Sequence, residues 1–430
     1  MNTQENKKSS VRVTFPERRQ VEMRFSSLDQ LLYKDHQARI VWRFVKTLDL
    51  DPLYEKIEVS PTQAGRSATN PEVLLALWLL ATLEGIGSAR ELARRCERDI
   101  PYMWICGGVG VNYHTLSDFR VQHGNYLEKL LIDTVTGLIH QGLIPMETIA
   151  QDGMRVRASA GKSSFRREPT LEELHRKATE HVDRLKQESE SPSSRQQGEA
   201  RRKAAQDRAA REREERVSQA VETVKELQVK REKRKKGTGH EARCSTTDPE
   251  ARRMKVANGG YNPAFNVQFA SDGDARMIVG VDVTNEGSDG HEMVPMYEKV
   301  TSSYGVVPEN YVVDAAFATK DAVTTVEKNK SKVVAPIPRE QETIKNGKDP
   351  HQRQGHESEE FGKFRVRMAE QHYKDKLKMR PSQAEYPNAV CRNHGLQQFN
   401  VRGLVKTKAV ALWHALAFNF TRMRTMKVIT

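Results

Sequence analysis

At 430 residues, 37% of them hydrophobic, the chain has the length for two or three domains and a real buried core, which excludes a small stapled fold. Lysine plus arginine number 70 against 57 acids, a net charge of +13 with a pI near 9.4, and that balance favours a polyanionic partner such as nucleic acid. Cys96, Cys106, Cys244 and Cys391 form no CxxC pair, and neither a zinc module nor a disulfide framework is supported.

The longest apolar run, Val73 to Leu83 interrupted by Thr82, is too short to span a bilayer, and Met1 to Asn6 has no signal-peptide apolar stretch. A cytoplasmic, nucleoid-associated protein without membrane contact is expected. Residues 1–20 are polar and basic without periodicity and read as a flexible arm. A helical region, 21–145, follows. Asn70-Pro71-Glu72 starts a helix, with Asn70 as N-cap and Pro71 where its missing N–H costs nothing. Ala89, Leu92, Ala93 and Cys96 fall at i, i+3, i+4, i+7, leaving Arg90, Arg94 and Arg95 outside. A turn holding Gly107, Gly108 and Gly110 leads to a helix opened by a capping-box-like Thr115 and Asp118, with Arg120 on it. Helix, glycine-bearing turn and capped basic helix are consistent with helix-turn-helix DNA binding, and equally with a plain bundle bearing solvated arginines.

The pattern changes at Glu147. Thr148 to Asp152 reads as a strand ending on a carboxylate, Gly153 as a turn or close backbone approach, and Met154 to Ala158 as a half-exposed strand. Residues 169–240 are almost wholly charged, with helices over Leu171–Gln187 and Arg201–Lys235 broken at Ser191-Pro192-Ser193-Ser194. Alternating signs and a narrow apolar stripe predict an antiparallel helical hairpin inserted in the fold. Strands return over Ala264–Ala270 and Met277–Val283, joined by a Ser271–Asp274 turn, then helix 291–303, strand 310–314, helix 319–329 and strand 332–337. The order describes a mixed α+β, five-stranded sheet of ribonuclease-H type over 146–168 and 241–430, the insertion lying between its first and second strands. Asp152 on the first strand and Asp314 on the fourth then converge at a sheet edge, where α/β folds place ligands. Glu359, Glu360, Glu370, Asp375 and Glu385 are candidates for a third acid.

The chain resembles the DDE transposases of bacterial insertion sequences, particularly the family whose name spells out as eleven-eighty-two. The resemblance spans residues 25 to 425. It is carried by Asn70-Pro71-Glu72 through His114-Thr115-Leu116-Ser117-Asp118-Phe119-Arg120, Gln151-Asp152-Gly153, and Ser245 to Ala251. It continues through Gly259-Gly260-Tyr261-Asn262-Pro263 with Asn266-Val267-Gln268, Val313-Asp314-Ala315, Glu385-x-Pro387, Val401-Arg402-Gly403 and Ala417-Phe418-Asn419. Position by position it implies that Asp152, Asp314 and Glu385 are the catalytic and metal-binding triad. The chain departs from the pattern in having Arg392 where a lysine is common and Asn388 where an aromatic is common.

Three carboxylates repel unless cations lie between them, so two Mg2+ ions, replaceable by Mn2+, are implied. The implied activity is cleavage of double-stranded DNA at terminal inverted repeats and strand transfer into target DNA, by a homodimer assembled on DNA. Arg90, Arg94, Arg95 and Arg120 are the candidates for end recognition, and Arg155, Arg380, Arg392 and Arg402 for positioning phosphates, since arginine offers paired donors to phosphate oxygens. The rival readings are a non-transposing nuclease on the same fold and a catalytically inactive, repurposed DNA-binding protein.

Overall fold

The computed structural model describes residues 18, 19, 21, 25–57, 67–190, 197–257 and 259–429. The expected basic arm, apart from Arg18 and Arg19, and the break at Ser191-Pro192-Ser193-Ser194 lie outside the described residues.

The chain opens with helices α1 (Leu28–Leu31), α2 (Gln37–Lys46), α3 (Asp51–Tyr54), α4 (Pro71–Leu83), α5 (Ala89–Arg98), α6 (Ile100–Cys106), α7 (Tyr113–Gln122) and α8 (Gly124–His140). Asn70 caps α4 through its side chain, and every residue of α4 except Glu72 is buried, as a helix apolar on all sides requires. Two expectations are corrected here. The helix after the glycine turn starts at Tyr113 and is capped by Asn112, not Thr115, because an Asn side chain already takes the His114 N–H one turn earlier. The glycine turn is also preceded by α6, a separate helix with a proline in its first turn, which ends on left-handed Gly107.

Strand β1 (Thr148–Arg157) is followed by β2 (Phe165–Arg166), then the long helices α9 (Glu168–Glu190) and α10 (Gln197–Arg234), then β3 (Cys244–Ser245). The helices pack as a hairpin whose foot has its own small core of Leu171, Ala220, Val224, Ala242 and Cys244. Next come β4 (Arg252–Lys255), β5 (Tyr261–Asp272), β6 (Ile278–Thr284), α11 (Met293–Tyr304), β7 (Asn310–Val312), α12 (Lys320–Lys328) and β8 (Lys332–Val334). The chain closes with α13 (Glu340–Lys345), α14 (Glu359–Arg367), α15 (Gln371–Arg380), a π-helical turn Pro381–Glu385, α16 (Tyr386–Asn393) and α17 (Leu404–Thr425).

The main sheet is mixed and has six strands, in the order β4-β5-β1-β7-β8 with β6 also on β5. The five-stranded expectation is thereby corrected. β4, Arg252-Arg253-Met254-Lys255, shows one buried side chain among charges, the signature of a protected edge strand rather than of an apolar run. It pairs with the start of β5, and β6 with the remainder of that same strand. β1 is also one continuous ten-residue strand, with no turn at Gly153. It runs antiparallel to β5 and parallel to β7, which is parallel to β8. Helix α17 joins the parts: Trp413 Nε1 donates to the Arg120 carbonyl on α7, and Asn419 exchanges two hydrogen bonds with Ile278 on β6. One buried core runs through the helical region and the sheet.

Candidate active site

Asp152 lies in the middle of β1, on the face covered by α15, the π-helical turn and α16. The local cause of the irregular helix is proline. Pro387 has no N–H to give the Gln383 carbonyl four residues back, and that carbonyl instead accepts the Ser271 hydroxyl of β5 at 2.5 Å. The turn is thus pinned to the sheet, and Glu385, its last residue, stands at the start of α16 without capping it. Single π turns inside helices recur at functional sites.

Arg380, from the end of α15, lies between the two acids. Its Nη2 donates to Glu385 Oε1 at 2.6 Å, and its Nη1 is 4.0 Å from Asp152 Oδ1. Asn388 Nδ2 donates to Asp152 Oδ2 at 2.8 Å, from a residue 236 positions away in sequence. Burial pushes the Asp152 carboxyl up from 3.8 to about 6, against the opposing pull of Arg380, the Asn388 amide and the Gly153 N–H. Sequence reading assigned Asn388 no role. Its spacing of three from Glu385 on one helix was the available signal, because such residues share a face.

Asp314 lies two residues beyond the end of β7. The β1–β7 pairing ends at Ala150 and Val312, so Asp314 follows just past the end of the strand that neighbours β1. The Asp314 carboxylate accepts from the Ala315 N–H at 2.7 Å, within its own turn. The structure therefore brings Asp152 and Glu385 onto one cation and puts Asp314 on the adjacent strand end. Among the described residues no three His, Cys, Asp or Glu side chains are gathered as a metal cage. The chemistry of the set nevertheless suits a divalent, oxygen-seeking ion: hard carboxylate oxygens, one of them desolvated, already drawn to a cation.

The other face of β1 carries a different polar cluster. Asp289 accepts from Asn266 and Gln268 at 2.8 Å each and from Arg155 at 2.7 Å, while Gln151 bridges Gln268, the Glu292 carbonyl and the Tyr311 hydroxyl. Gly153 makes room for it: a Cβ there would lie 2.4 Å from the Gln268 amide and 2.7 Å from Asp289 Oδ1. Arg155, expected to position phosphate, is held here by Asp289 and the Gly287 carbonyl. Arg392 is half-buried on α16, and exposed Arg402 reaches back to the Ser159 carbonyl at 3.4 Å.

In the helical region Arg90 is exposed and stacks on Tyr113, with its guanidinium 5.1 Å from the ring centre. Arg94 pairs with Glu91, and Arg95 with Glu84, Glu91 and Asp99. Arg120, expected among the arginines that recognise DNA ends, is not at the surface. It is only 6% exposed, it lies over Trp78, and its Nη1 donates to the Gly87 carbonyl. Desolvation lowers its pKa to about 10. Leu116 and Phe119 turn the same face of α7 inward and carry Arg120 with them, which the capping pattern did not reveal. Residues 26–122, from α1 to the end of α7, match a protein-family model described as a transposase domain (DUF772). That match supports a transposase. It covers Arg90, Arg94, Arg95 and Arg120 and stops short of the sheet. No curated protein and no solved structure matches the chain. No helix among the described residues is long and apolar enough to cross a membrane.

Proposed function

We propose that the chain is a DDE transposase of the insertion-sequence type, with a ribonuclease-H-like catalytic sheet, that cleaves double-stranded DNA at element ends and transfers strands. Asp152, Asp314 and Glu385 are its acids, and the helical region recognises the ends. The observation that carries this reading is the meeting of Asp152 and Glu385 on Arg380, from elements distant in sequence, with Asp314 just past the end of the strand beside β1. Strand order, with three antiparallel strands and then two parallel ones beside β1, supports it. So does the transposase-domain match.

Asp152, Asp314 and Glu385 are the residues that would hold Mg2+ or Mn2+. When bound, such ions polarise a phosphodiester and lower the pKa of a water or 3′-hydroxyl nucleophile. The protein's own part is to keep Asp152 desolvated, to hold its orientation through Asn388, and to supply the Arg380 guanidinium as a donor to a phosphate oxygen beside the two acids. The test is cleavage of labelled end-bearing duplex with Mg2+. Asp152→Asn, Asp314→Asn and Glu385→Gln are each expected to abolish cleavage while end binding stays within a few fold. Near-normal cleavage by any one of them removes that residue from the site.

A further inference from the structure

A cavity of about 710 Å³ lies away from the carboxylates, where the foot of α10, the β2–β3 ribbon and the edge strand β4 meet. Its apolar floor includes Phe165, Leu227 and Ala242, and its rim is cationic. Three of the rim cations are engaged: Arg231 with Glu241, Lys230 with Glu286 at 3.7 Å, and Arg252 with the Pro249 and Ala251 carbonyls. Arg167, Arg234, Arg243 and Arg253 are exposed and have no acidic partner among the described residues.

Each of these arginines has an ordinary explanation alone. A basic helix end complements the helix dipole, and a charged edge strand discourages edge-to-edge pairing. Neither explanation requires three separate elements to direct unneutralised guanidinium groups into one cleft, where their mutual repulsion opposes folding. An anion offsets that repulsion, and arginine forks match phosphate oxygens.

Register fixes the distance to the carboxylates. Arg253 pairs with Pro263, six residues along β5 from Phe269, the partner of Asp152, an even offset that puts the two positions on one face of the sheet. At about 3.3 Å per residue and two strand spacings of about 4.8 Å, the separation is roughly 20 Å. A single phosphate or nucleotide cannot reach both places, whereas a duplex rising about 3.4 Å per base pair does so within roughly six pairs. We propose that this cleft holds the sugar-phosphate backbone of the same duplex whose scissile bond lies at Asp152. The inference rests on DNA being the substrate.

The experiment is fluorescence anisotropy of the full chain with a labelled 30-base-pair duplex across a salt series, comparing the parent with a variant carrying Arg167→Gln, Arg234→Gln, Arg243→Gln and Arg253→Gln. The variant should lose at least about tenfold in affinity near 0.15 M salt, and its salt slope should flatten by roughly three to four, the loss of about 0.9 per phosphate contact. Replacing the same four residues by lysine should restore most of both. If the fourfold variant fails to melt cooperatively, the pairs Arg167 with Arg243 and Arg234 with Arg253 carry the same reading in halves. A parent that binds the duplex beside a folded variant of unchanged affinity and slope overturns the cleft alone. A parent that binds no duplex overturns the DNA reading as well. Competition by inorganic phosphate as strong as that by the long duplex overturns the extended-backbone assignment.

Discussion

The two faces of β1 each hold an aspartate against an arginine, and the two pairs are built to opposite ends. On one face Asp289 receives two amide donors and the Arg155 guanidinium at 2.7 Å, and its side chain is 9% exposed. On the other, Asp152 has the Asn388 amide, the Gly153 N–H, a guanidinium 4.0 Å away that is engaged with Glu385, and a pKa of about 6. A buried carboxylate whose oxygens are all answered fixes a fold. One that is desolvated and incompletely answered is poised to accept something else, which is why such groups cluster at functional sites.

The largest expected effect breaks the comparison by exchanging the roles. Asp152→Asn should leave the fold intact and reduce cleavage of end-bearing duplex to background. Asp289→Ala should instead destabilise the protein by about 3 kcal/mol, because it strands Arg155 and two buried amides. Urea denaturation of both variants checks this, and a folded, cleavage-dead Asp289→Ala would invert the assignment. Gly153→Ala is the next in size. It adds a methyl to the Asp289 face only, against Gln268 and Asp289, and should cost about 1–3 kcal/mol with the Asp152 chemistry largely preserved in the folded fraction.

The pKa of Asp152 sharpens the contrast with a pH signature. Its folded value lies above the ordinary 3.8, so the folded state binds this proton more tightly, and stability falls as pH rises from about 4 to about 6. Asp152→Asn removes that penalty. The variant should be more stable than the parent above pH 6, by about 2–3 kcal/mol, with the difference vanishing below pH 4. Metal-dependent cleavage should run the other way, declining as pH drops through about 6 and the carboxylate is protonated. Thermal melts of parent and variant at pH 3.5, 5 and 7.5 read the first effect. Equal melting differences at all three would mean that Asp152 is not desolvated.

How much of this was legible depended on whether a pattern was local. The apolar α4, its Asn70 cap and the charged hairpin follow from composition and periodicity, which need no partner in space. Strand β4 was not legible because a single buried methionine among three basic residues carries no period, and its strand character comes from pairing with Tyr261–Ala264. The flanking β-branched runs put Asp314 beside a strand end, but Asp152, expected at a strand end, lies mid-strand because β1 continues to Arg157, and Arg380 and Asn388 join Asp152 only through the packing of the π-helical turn on the sheet. Arg120 illustrates the same limit. A basic residue on a capped helix reads as surface until Trp78 and Gly87 are known to cover it.

The smallest expected effect concerns Asn388, and it tests whether the incompletely answered face is tuned or merely open. Its amide donates to the charged form of Asp152, so it pulls the pKa down against burial. Asn388→Ala removes the donor and should move the acid limb of the cleavage profile upward by on the order of one pH unit, since a hydrogen bond to a charged group contributes about 1.5–3 kcal/mol and water replaces part of it. Asn388→Asp replaces the donor with a second acid and should move the limb further up, because two adjacent carboxylates resist ionising together. A purely structural role for Asn388 would lower stability in both variants without separating their profiles. Coincident acid limbs in parent, Asn388→Ala and Asn388→Asp would therefore show that burial and Arg380, and not the Asn388 amide, set the proton affinity of Asp152.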